Sequence, residues 1–490
     1  MYILAIDQGT SSTKTIIFDS NGKAQCKATE PLNTHYLKNN KVEQEPEVIY
    51  QNVLSSVKKC LANFNKIGGD LIKIKTCAIS NQRETFVLWD KNGKPLYNAV
   101  VWQCKRSIDI CDRLKNEGFS SKINEKTGLI IDPYFSGTKV IWLYENEMKI
   151  KTAIDNGEAY FGNIDSWLLF KLTNGEQYFT DYTNASRTMF FNLKELSWDK
   201  ELLSDFGLAN LNLPELKPSS YHYGETNLDG LLDHKISISA LIGDSHAAAF
   251  GEGCFESGDA KATLGTGSSI LMNIGNHPKT SKNGMVTTIC WSKEGRVDYA
   301  FEGIIVSAGA TIEWVKNQLE LFDNVDELEN ICLSLKDNGG VYIIPAFSGL
   351  GAPHWDMNRQ ASIEGLSFDS NKKHIIRAAV ESIPYQIKDV IVAMENDSGS
   401  SLSELKIDGG ITSNKFVVQF LADLLKRKVT NIEIVDVSAL GAAYLGGLNA
   451  GIYKSIEQLK SFNNNSKTTL ASNNTFKLET YYNQWKEFIR

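Results

Sequence analysis

Twice in this sequence, at its start and again just past its middle, an apolar run of strand length breaks at a turn of glycine and hydroxyl residues and then resumes. Tyr2-Ile3-Leu4-Ala5-Ile6 leads into Asp7-Gln8-Gly9-Thr10-Ser11-Ser12, and Thr13 to Asp19 reads as the returning strand. Lys261-Ala262-Thr263-Leu264 leads likewise into Gly265-Thr266-Gly267-Ser268-Ser269 and then Ile270 to Ile274. Turns of this kind expose backbone N–H groups and hydroxyls, which are donors suited to a phosphate chain. Two such half-sites constrain the chain to an α/β fold in which two distantly similar halves face one another. At 490 residues the chain exceeds what one core usually supports, so two domains meeting at a cleft are expected. The boundary is placed in the small, glycine-rich stretch from Ala247 to Gly253, giving halves 1–248 and 249–490.

The elements between these turns fit the same class. Pro46 opens a segment with Ile49, Val53, Val57 and Leu61 on one helical face. Lys75 to Ser80 is a strand ending at Asn81-Gln82-Arg83-Glu84, which puts charge where open α/β sheets hold ligands. Leu405 to Asp408 is closed by Gly409 and Gly410, and Asn414 begins another helix. Pro384 lies inside a helical pattern running from His374 to Met394 and predicts a local kink. Ser461 to Phe476, rich in Asn, Ser and Thr, predicts a surface loop before an amphipathic segment around Tyr481, Trp485 and Phe488.

A net charge of −7 argues against a nucleic-acid groove, which needs a basic stripe. Asp7 interrupts any secretory signal, and no run approaches the ~18 apolar residues of a membrane span. The expectation is a cytoplasmic protein with no membrane insertion. Eight cysteines stand without a C-x-x-C pair or a Cys/His cluster, and read as reduced, mostly buried thiols.

The polar residues divide into tasks. Asp7, at a strand end beside the first turn, is the candidate Mg²⁺ ligand, with Thr10, Ser11 and Ser12 on the phosphates. Thr266 approaches the same phosphates from the second half, and Gly410 with Asn414 can come close to a nucleotide. No G-x-x-x-x-G-K-[ST], H-R-D or D-F-G set occurs, and Ile270 stands where a dinucleotide loop needs its third glycine. Phosphoryl transfer to an alcohol needs a proton acceptor, and Asp244, ending the apolar run Ala240-Leu241-Ile242-Gly243, is the candidate general base. Arg83 and Glu84 offer donors and acceptors together, as adjacent hydroxyls of a polyol require. Trp102 and Tyr134 supply an apolar wall and a hydroxyl, and His246 is assigned to packing or substrate contact.

The chain resembles the FGGY family of carbohydrate kinases across essentially its whole length. The resemblance rests on Asp7-Gln8-Gly9-Thr10, Asn81 to Thr85, Val101-Trp102-Gln103, Asp132 to Lys139, Thr180 to Thr188 and Gly349-Leu350-Gly351-Ala352-Pro353. It implies two actin-like ATPase, ribonuclease-H-like domains with a deep interdomain cleft, closing over ATP, Mg²⁺ and a small polyol. By position it implies a polyol pocket of Arg83, Glu84, Trp102, Tyr134, Asp244 and Ser245. It implies a nucleotide site of Thr10, Ser11, Ser12, Lys14, Thr266, Gly309, Glu313, Gly410 and Asn414. Lys14 replaces a frequent arginine and Glu313 a frequent glutamine. Ser245 and Ser269 replace a bulkier glutamine and phenylalanine, which predicts a larger, more polar pocket beside the base. Glycerol is the first acceptor expected, with another small polyol or ketose, or an actin- or chaperone-like ATPase switch, as the alternatives. The expected assembly is a homodimer or homotetramer.

Overall fold

The opening apolar run folds back on itself as β1 (Tyr2–Gln8) and β2 (Ser12–Asp19), antiparallel, with Asp7 opposite Lys14. In the computed structural model, which describes residues 1–434, 436–462, 466–472 and 476–489, this hairpin continues into β3 (Ala24–Pro31). The helix α1 (Pro46–Lys66) covers it. Pro46 sits at the first helical position, where its missing N–H costs nothing, and Ile49, Val53, Val57, Leu61 and Phe64 are buried along one face. On the other side of β1 lies β4 (Ile74–Asn81), parallel, so that Asp7 faces Ser80. The strands β5 (Ser220–Thr226) and β6 (Ile236–Gly243) form a hairpin whose second strand runs parallel to β4. Between β4 and β5 the chain detours into several helices and three strands of a smaller five-stranded sheet, whose other two strands, His35–Tyr36 and Val42–Gln44, precede α1, and this region has its own apolar core.

After β6 comes α2 (Asp244–Gly251), then β7 (Asp259–Leu264) and β8 (Ser268–Gly275), the second hairpin. Next are β9 (Val286–Lys293), β10 (Arg296–Ile305) and α3 (Gly309–Asn317). The second half ends with α4 (Lys372–Ser398), β11 (Glu404–Asp408), α5 (Lys415–Leu425), β12 (Lys428–Ile432), α6 (Val437–Asn449) and β13 (Ser466–Thr469). A 13-stranded sheet takes the order β13-β12-β11-β7-β8-β10-β9-β5-β6-β4-β1-β2-β3. The same ladder occurs twice in it. On one side of β1 two successive antiparallel pairings lead to β2 and then β3, and on the other two successive parallel pairings lead to β4 and then β6. From β7 the same succession leads through antiparallel pairings to β8 and then β10, and through parallel ones to β11 and then β12. The likeness read from two turns thus extends to whole lobes, as a pair of ribonuclease-H-like halves requires. They join where β5 meets β9, Ser220 opposite Lys293.

Three segments of the chain gain definition. Ala247 to Gly251 belongs to α2, and its small side chains let α6 pack directly against it. A Cβ on Gly441 of α6 would lie 1.8 Å from the Ala247 carbonyl oxygen, so the two backbones touch. α6 also lies against β1, β4 and β6, burying Ala439, Leu440 and Tyr444 with Ile3, Ala5 and Ala78. The helix α4 continues through Pro384 over 27 residues. The polar stretch from Ser461 to Phe476 contains the edge strand β13, paired with β12, while 463–465 and 473–475 lie outside the described residues. The amphipathic C-terminal segment is a helix, Phe476–Ile489, that buries Tyr482 and Trp485. All eight thiols are free, and seven are buried.

The backbone contact between α2 and α6 predicts the sign of one substitution. Gly441→Ala gains about 1 kcal/mol of helix propensity, but forces the helices apart, and overpacking of this kind costs about 1–3 kcal/mol or more. A net loss of unfolding free energy in urea is expected; a net gain would show that the helices separate freely.

Candidate active site

Both hairpin turns open on one cleft of about 850 Å³. Its walls include Thr10 from the first turn, Thr266 and Gly267 from the second, and Arg83, Glu84, Trp102, Tyr134, Asp244 and Ser245 between them. Eight sequence-predicted site residues are therefore gathered, although they come from six separate stretches of chain.

Asp244 begins α2 directly after β6, and its side chain is 37% exposed to the cleft. The Ser245 N–H donates to its Oδ1 at 2.6 Å, and Arg83 Nε approaches the same oxygen at 3.3 Å without aligning a hydrogen bond. The other end of the Arg83 guanidinium donates from Nη1 to Glu302 Oε1 at 2.8 Å. Arg187 donates from Nε to Glu84 Oε1 at 2.5 Å, and its Nη1 faces Glu302 Oε2 at 2.7 Å. Three carboxylates thus share two guanidiniums. Burial alone would raise the Glu302 carboxyl, but Arg187 and Arg83 override it and hold it well below the usual carboxylate range. Burial also raises the Glu84 carboxyl, against the pull of Arg187 and Arg83. Glu84 has φ of 59°, a left-handed backbone that a glutamate adopts only under constraint. That bend aims its carboxylate at Arg187, and Ser136 Oγ steadies it by donating to the Glu84 carbonyl at 2.9 Å.

The aromatic wall is tied to the first turn. Trp102 Nε1 donates to Thr10 Oγ1 at 2.9 Å, and Thr10 Oγ1 donates in turn to Gln82 Oε1 at 3.3 Å. Trp102 meets Tyr134 edge to face at 5.6 Å between ring centres. Burial pushes the Tyr134 phenol well above its ordinary range, so it stays protonated. The loop carrying Tyr134 is held by Lys139, fully buried, whose Nζ donates to the carbonyls of Pro133 and Tyr134 at 2.9 and 2.8 Å. Burial depresses the Lys139 ammonium to about 8. Ser245 and Ser269 stand 3.3 Å apart between their hydroxyls, so the wall beside Asp244 is lined with small polar groups. His246 is buried against Thr288, and burial with the nearby Arg83 charge keeps its ring neutral.

Other predicted residues surround the turns. Asp7 accepts from Ser80 Oγ at 2.7 Å. It keeps some surface exposure, yet burial pushes its carboxyl up to about 6, with Ser80 opposing and Asp244 and Asp436 adding to the rise. The Ser12 carbonyl closes the turn on the Gly9 N–H at 3.0 Å, and the Ser11 carbonyl is taken by Leu32. Lys14 forms an ion pair with Asp436 at 2.9 Å, which Lys27 shares at 2.6 Å. Gly309 donates to the Gly265 carbonyl at 2.9 Å, and a Cβ there would lie 2.7 Å from that oxygen, so α3 starts in contact with the second turn. Gly410 has open space where a side chain would be, and Asn414 caps α5 by accepting from the Val417 N–H at 3.2 Å. Glu313 is exposed on α3 and accepts from Asn317, away from the cleft walls.

Glu302 and Arg187 are the residues that sequence reasoning left unassigned. Glu302, directly after the apolar run Tyr299-Ala300-Phe301, is a signal, because a buried carboxylate needs a partner.

Two ribonuclease-H-like lobes that share a cleft, with both hairpin turns on its walls and paired carboxylates beside a polar pocket, have the architecture of an actin-like carbohydrate kinase. The models of the FGGY family of carbohydrate kinases match here, the N-terminal domain over residues 2–251 and the C-terminal domain over 260–450. The chain belongs to this family, and as a kinase it takes its phosphoryl group from ATP. It is 45% identical over 489 residues to a glycerol kinase of Thermoanaerobacter sp. (strain X514), covering 100% of this chain and 98% of that protein. It is 47% identical over 459 residues to a glycerol kinase of Carboxydothermus hydrogenoformans, covering 94% and 91%. The crystal structure of Plasmodium falciparum glycerol kinase with ADP superposes with a TM-score of 0.94 at 34% identity, covering 100% and 97%.

The ion network predicts a stability effect. Arg187→Met would leave Glu84 unpaired and Glu302 with only Arg83. Removing one partner of a buried pair costs about 3–5 kcal/mol, and urea unfolding should show a loss of that size. A change below about 1 kcal/mol, typical of exposed pairs, would show that the cluster is solvated.

Proposed function

We propose that the chain transfers the γ-phosphoryl group of ATP to a terminal hydroxyl of glycerol, giving sn-glycerol 3-phosphate and ADP. Two lobes, 1–248 and 249–490, supply the polyol side and most of the nucleotide side. The observation that carries the reading is that Asp244 opens onto the same cleft as the Arg83, Glu84, Trp102 and Tyr134 pocket and the turns bearing Thr10 and Thr266. Full-length identity to glycerol kinases supports the acceptor.

In this reading Arg83 donates to, and Glu84 accepts from, neighbouring hydroxyls, while Trp102 and Tyr134 cover the carbon chain and Ser245 borders it. The attacking hydroxyl oxygen bonds to the γ-phosphorus as the bond to the ADP oxygen breaks, and Asp244 takes the hydroxyl proton. Thr10, Ser11, Ser12 and Thr266 hold the phosphate chain through N–H groups and hydroxyls. Lys14, once released from Asp436, adds charge there. Gly309, Glu313, Gly410 and Asn414 border the rest of the nucleotide. Mg²⁺ fits beside Asp7, because this desolvated carboxylate has one side-chain hydrogen bond and lies in the field of two other acids, Asp244 and Asp436. When bound, the ion would screen phosphate charge. Among the described residues no helix is long and apolar enough to cross a membrane. Eight free thiols suit a reducing cytoplasm, and a homodimer or homotetramer is the assembly to test by sedimentation.

A panel of glycerol, dihydroxyacetone, erythritol, xylitol and xylulose with ATP and Mg²⁺ should give the highest kcat/KM for glycerol. Asp244→Asn should lower kcat about 10²–10⁴-fold with ADP binding retained. A preference for a longer acceptor, or polyol-independent hydrolysis stimulated by a protein, would overturn the assignment. The Asp7 carboxyl predicts a pH effect of definite sign. Below its folded pKa of about 6 a proton occupies the carboxylate. The Mg²⁺ concentration for half-maximal activity should therefore rise as pH falls through that value. Asp7→Asn should raise the Mg²⁺ concentration for half-maximal activity at every pH and flatten its pH profile; an Mg²⁺ requirement constant across that range in the unaltered protein would remove Asp7 from the metal.

A further inference from the structure

The two arginines of the pocket have more carboxylates than neutrality requires. Arg187 is paired with Glu84, and Arg83 stands beside Asp244, so two acids already balance two guanidiniums. A third, Glu302, is fully buried between them. Taking another carboxylate out of water is costly unless it is well paired, so charge balance alone does not explain its presence. Its position does. Glu302 lies on β10 in the second half of the chain, whereas Arg83 and Arg187 belong to the first. Each of its oxygens faces a different guanidinium, at 2.8 Å for Arg83 and 2.7 Å for Arg187. Ser269, on the neighbouring strand β8, donates a further long hydrogen bond of 3.3 Å to the oxygen that Arg83 uses.

We propose that Glu302 is a positioning residue for the acceptor alcohol, a carboxylate of the second lobe that draws the Arg83 fork away from Asp244 and sets both arginines against the cleft. The geometry at Arg83 supports this. Its Nη1 makes a well-directed bond to Glu302, while its Nε reaches Asp244 at 3.3 Å without hydrogen-bond alignment. Asp244 thereby keeps lone pairs free for a hydroxyl proton. Without the charge on Glu302, the planar fork of Arg83 would turn to Asp244, the nearest remaining acid it touches, and close on it with two parallel bonds. That arrangement would withdraw from the acceptor both the donor and the proton acceptor. Because Glu302 comes from the opposite half, the polyol clamp is fully set only when the lobes are apposed as they are here. ATP contacts at the two turns do not pass through Glu302, so its loss should be felt on the acceptor side alone.

This inference rests on glycerol as acceptor, and the full-length enzyme tests the two separately. Failure of the unaltered protein to phosphorylate glycerol would overturn the acceptor reading. With that activity in hand, Glu302→Gln should lower kcat/KM for glycerol at least about tenfold while KM for ATP changes less than about threefold. Glu302→Asp, which keeps the charge but retreats by one methylene, should fall between the two. Unchanged glycerol kinetics, parallel weakening of ATP and glycerol, or equal losses in both variants would reduce Glu302 to a structural pair and overturn the proposal. Should Glu302→Gln fail to fold, Glu302→Asp decides. A glycerol KM raised about threefold, with ATP KM and melting temperature near those of the unaltered protein, upholds the role, and an unaltered glycerol KM overturns it.

Discussion

Two guanidiniums and three carboxylates, most of them out of reach of water, lie where the two lobes meet. Desolvating such groups is costly, and only close mutual pairing offsets it. The pairing is possible because β4 delivers Arg83 and Glu84 at its end, the detour after β4 brings Arg187 over them, and β10 brings Glu302 from the opposite half. A shift of either lobe would leave charge buried without a partner. The polar cleft and the relative placement of the lobes are consequently one problem with one solution, and the pocket for the proposed acceptor is a by-product of that solution.

The second constraint is close backbone contact. α2 carries the proposed base at its first residue, and its small residues meet α6 so tightly that Gly441 and Ala247 leave no room for a side chain. α6 comes late in the chain, yet it packs under the strands of the first half. The base is thus anchored to a helix clamped between both halves. Its carboxylate direction is set by rigid elements, as proton transfer requires. The first turn is coupled to the aromatic wall more directly, through the hydrogen bond from Trp102 to Thr10. Groups proposed for the phosphate and for the polyol therefore share a single side-chain chain of contacts.

Much of this was legible in the residues alone, for local reasons. A turn such as Asp7 to Ser12 announces itself, because glycine and hydroxyl residues between two apolar runs have few other uses. Asp244 was legible because an acid that ends an apolar strand stands at the sheet edge where α/β clefts form. Position in a motif, however, did not reveal what a side chain touches. Lys14, assigned by resemblance to the nucleotide site, pairs with Asp436 from the other lobe, and Glu313 accepts from Asn317 on its own helix. The small, glycine-rich stretch from Ala247 to Gly253 suggests a domain boundary in the sequence, and in the structure its first part is helix α2. Small residues equally permit helices to touch, and only a partner helix distant in sequence distinguishes the two uses.

The sequence by itself determined the α/β class, the two hairpin turns, the family and the identity of most polar residues around the cleft. Each depends on neighbours within a few residues, or on motifs preserved in order. Only the tertiary structure decided that Glu302 and Arg187 complete the cluster, that Glu84 takes a left-handed backbone to reach Arg187, and that α6 braces the helix of Asp244. Those outcomes depend on groups far apart in the chain whose burial is tolerable only together, and such mutual compensation leaves no local trace in the order of residues.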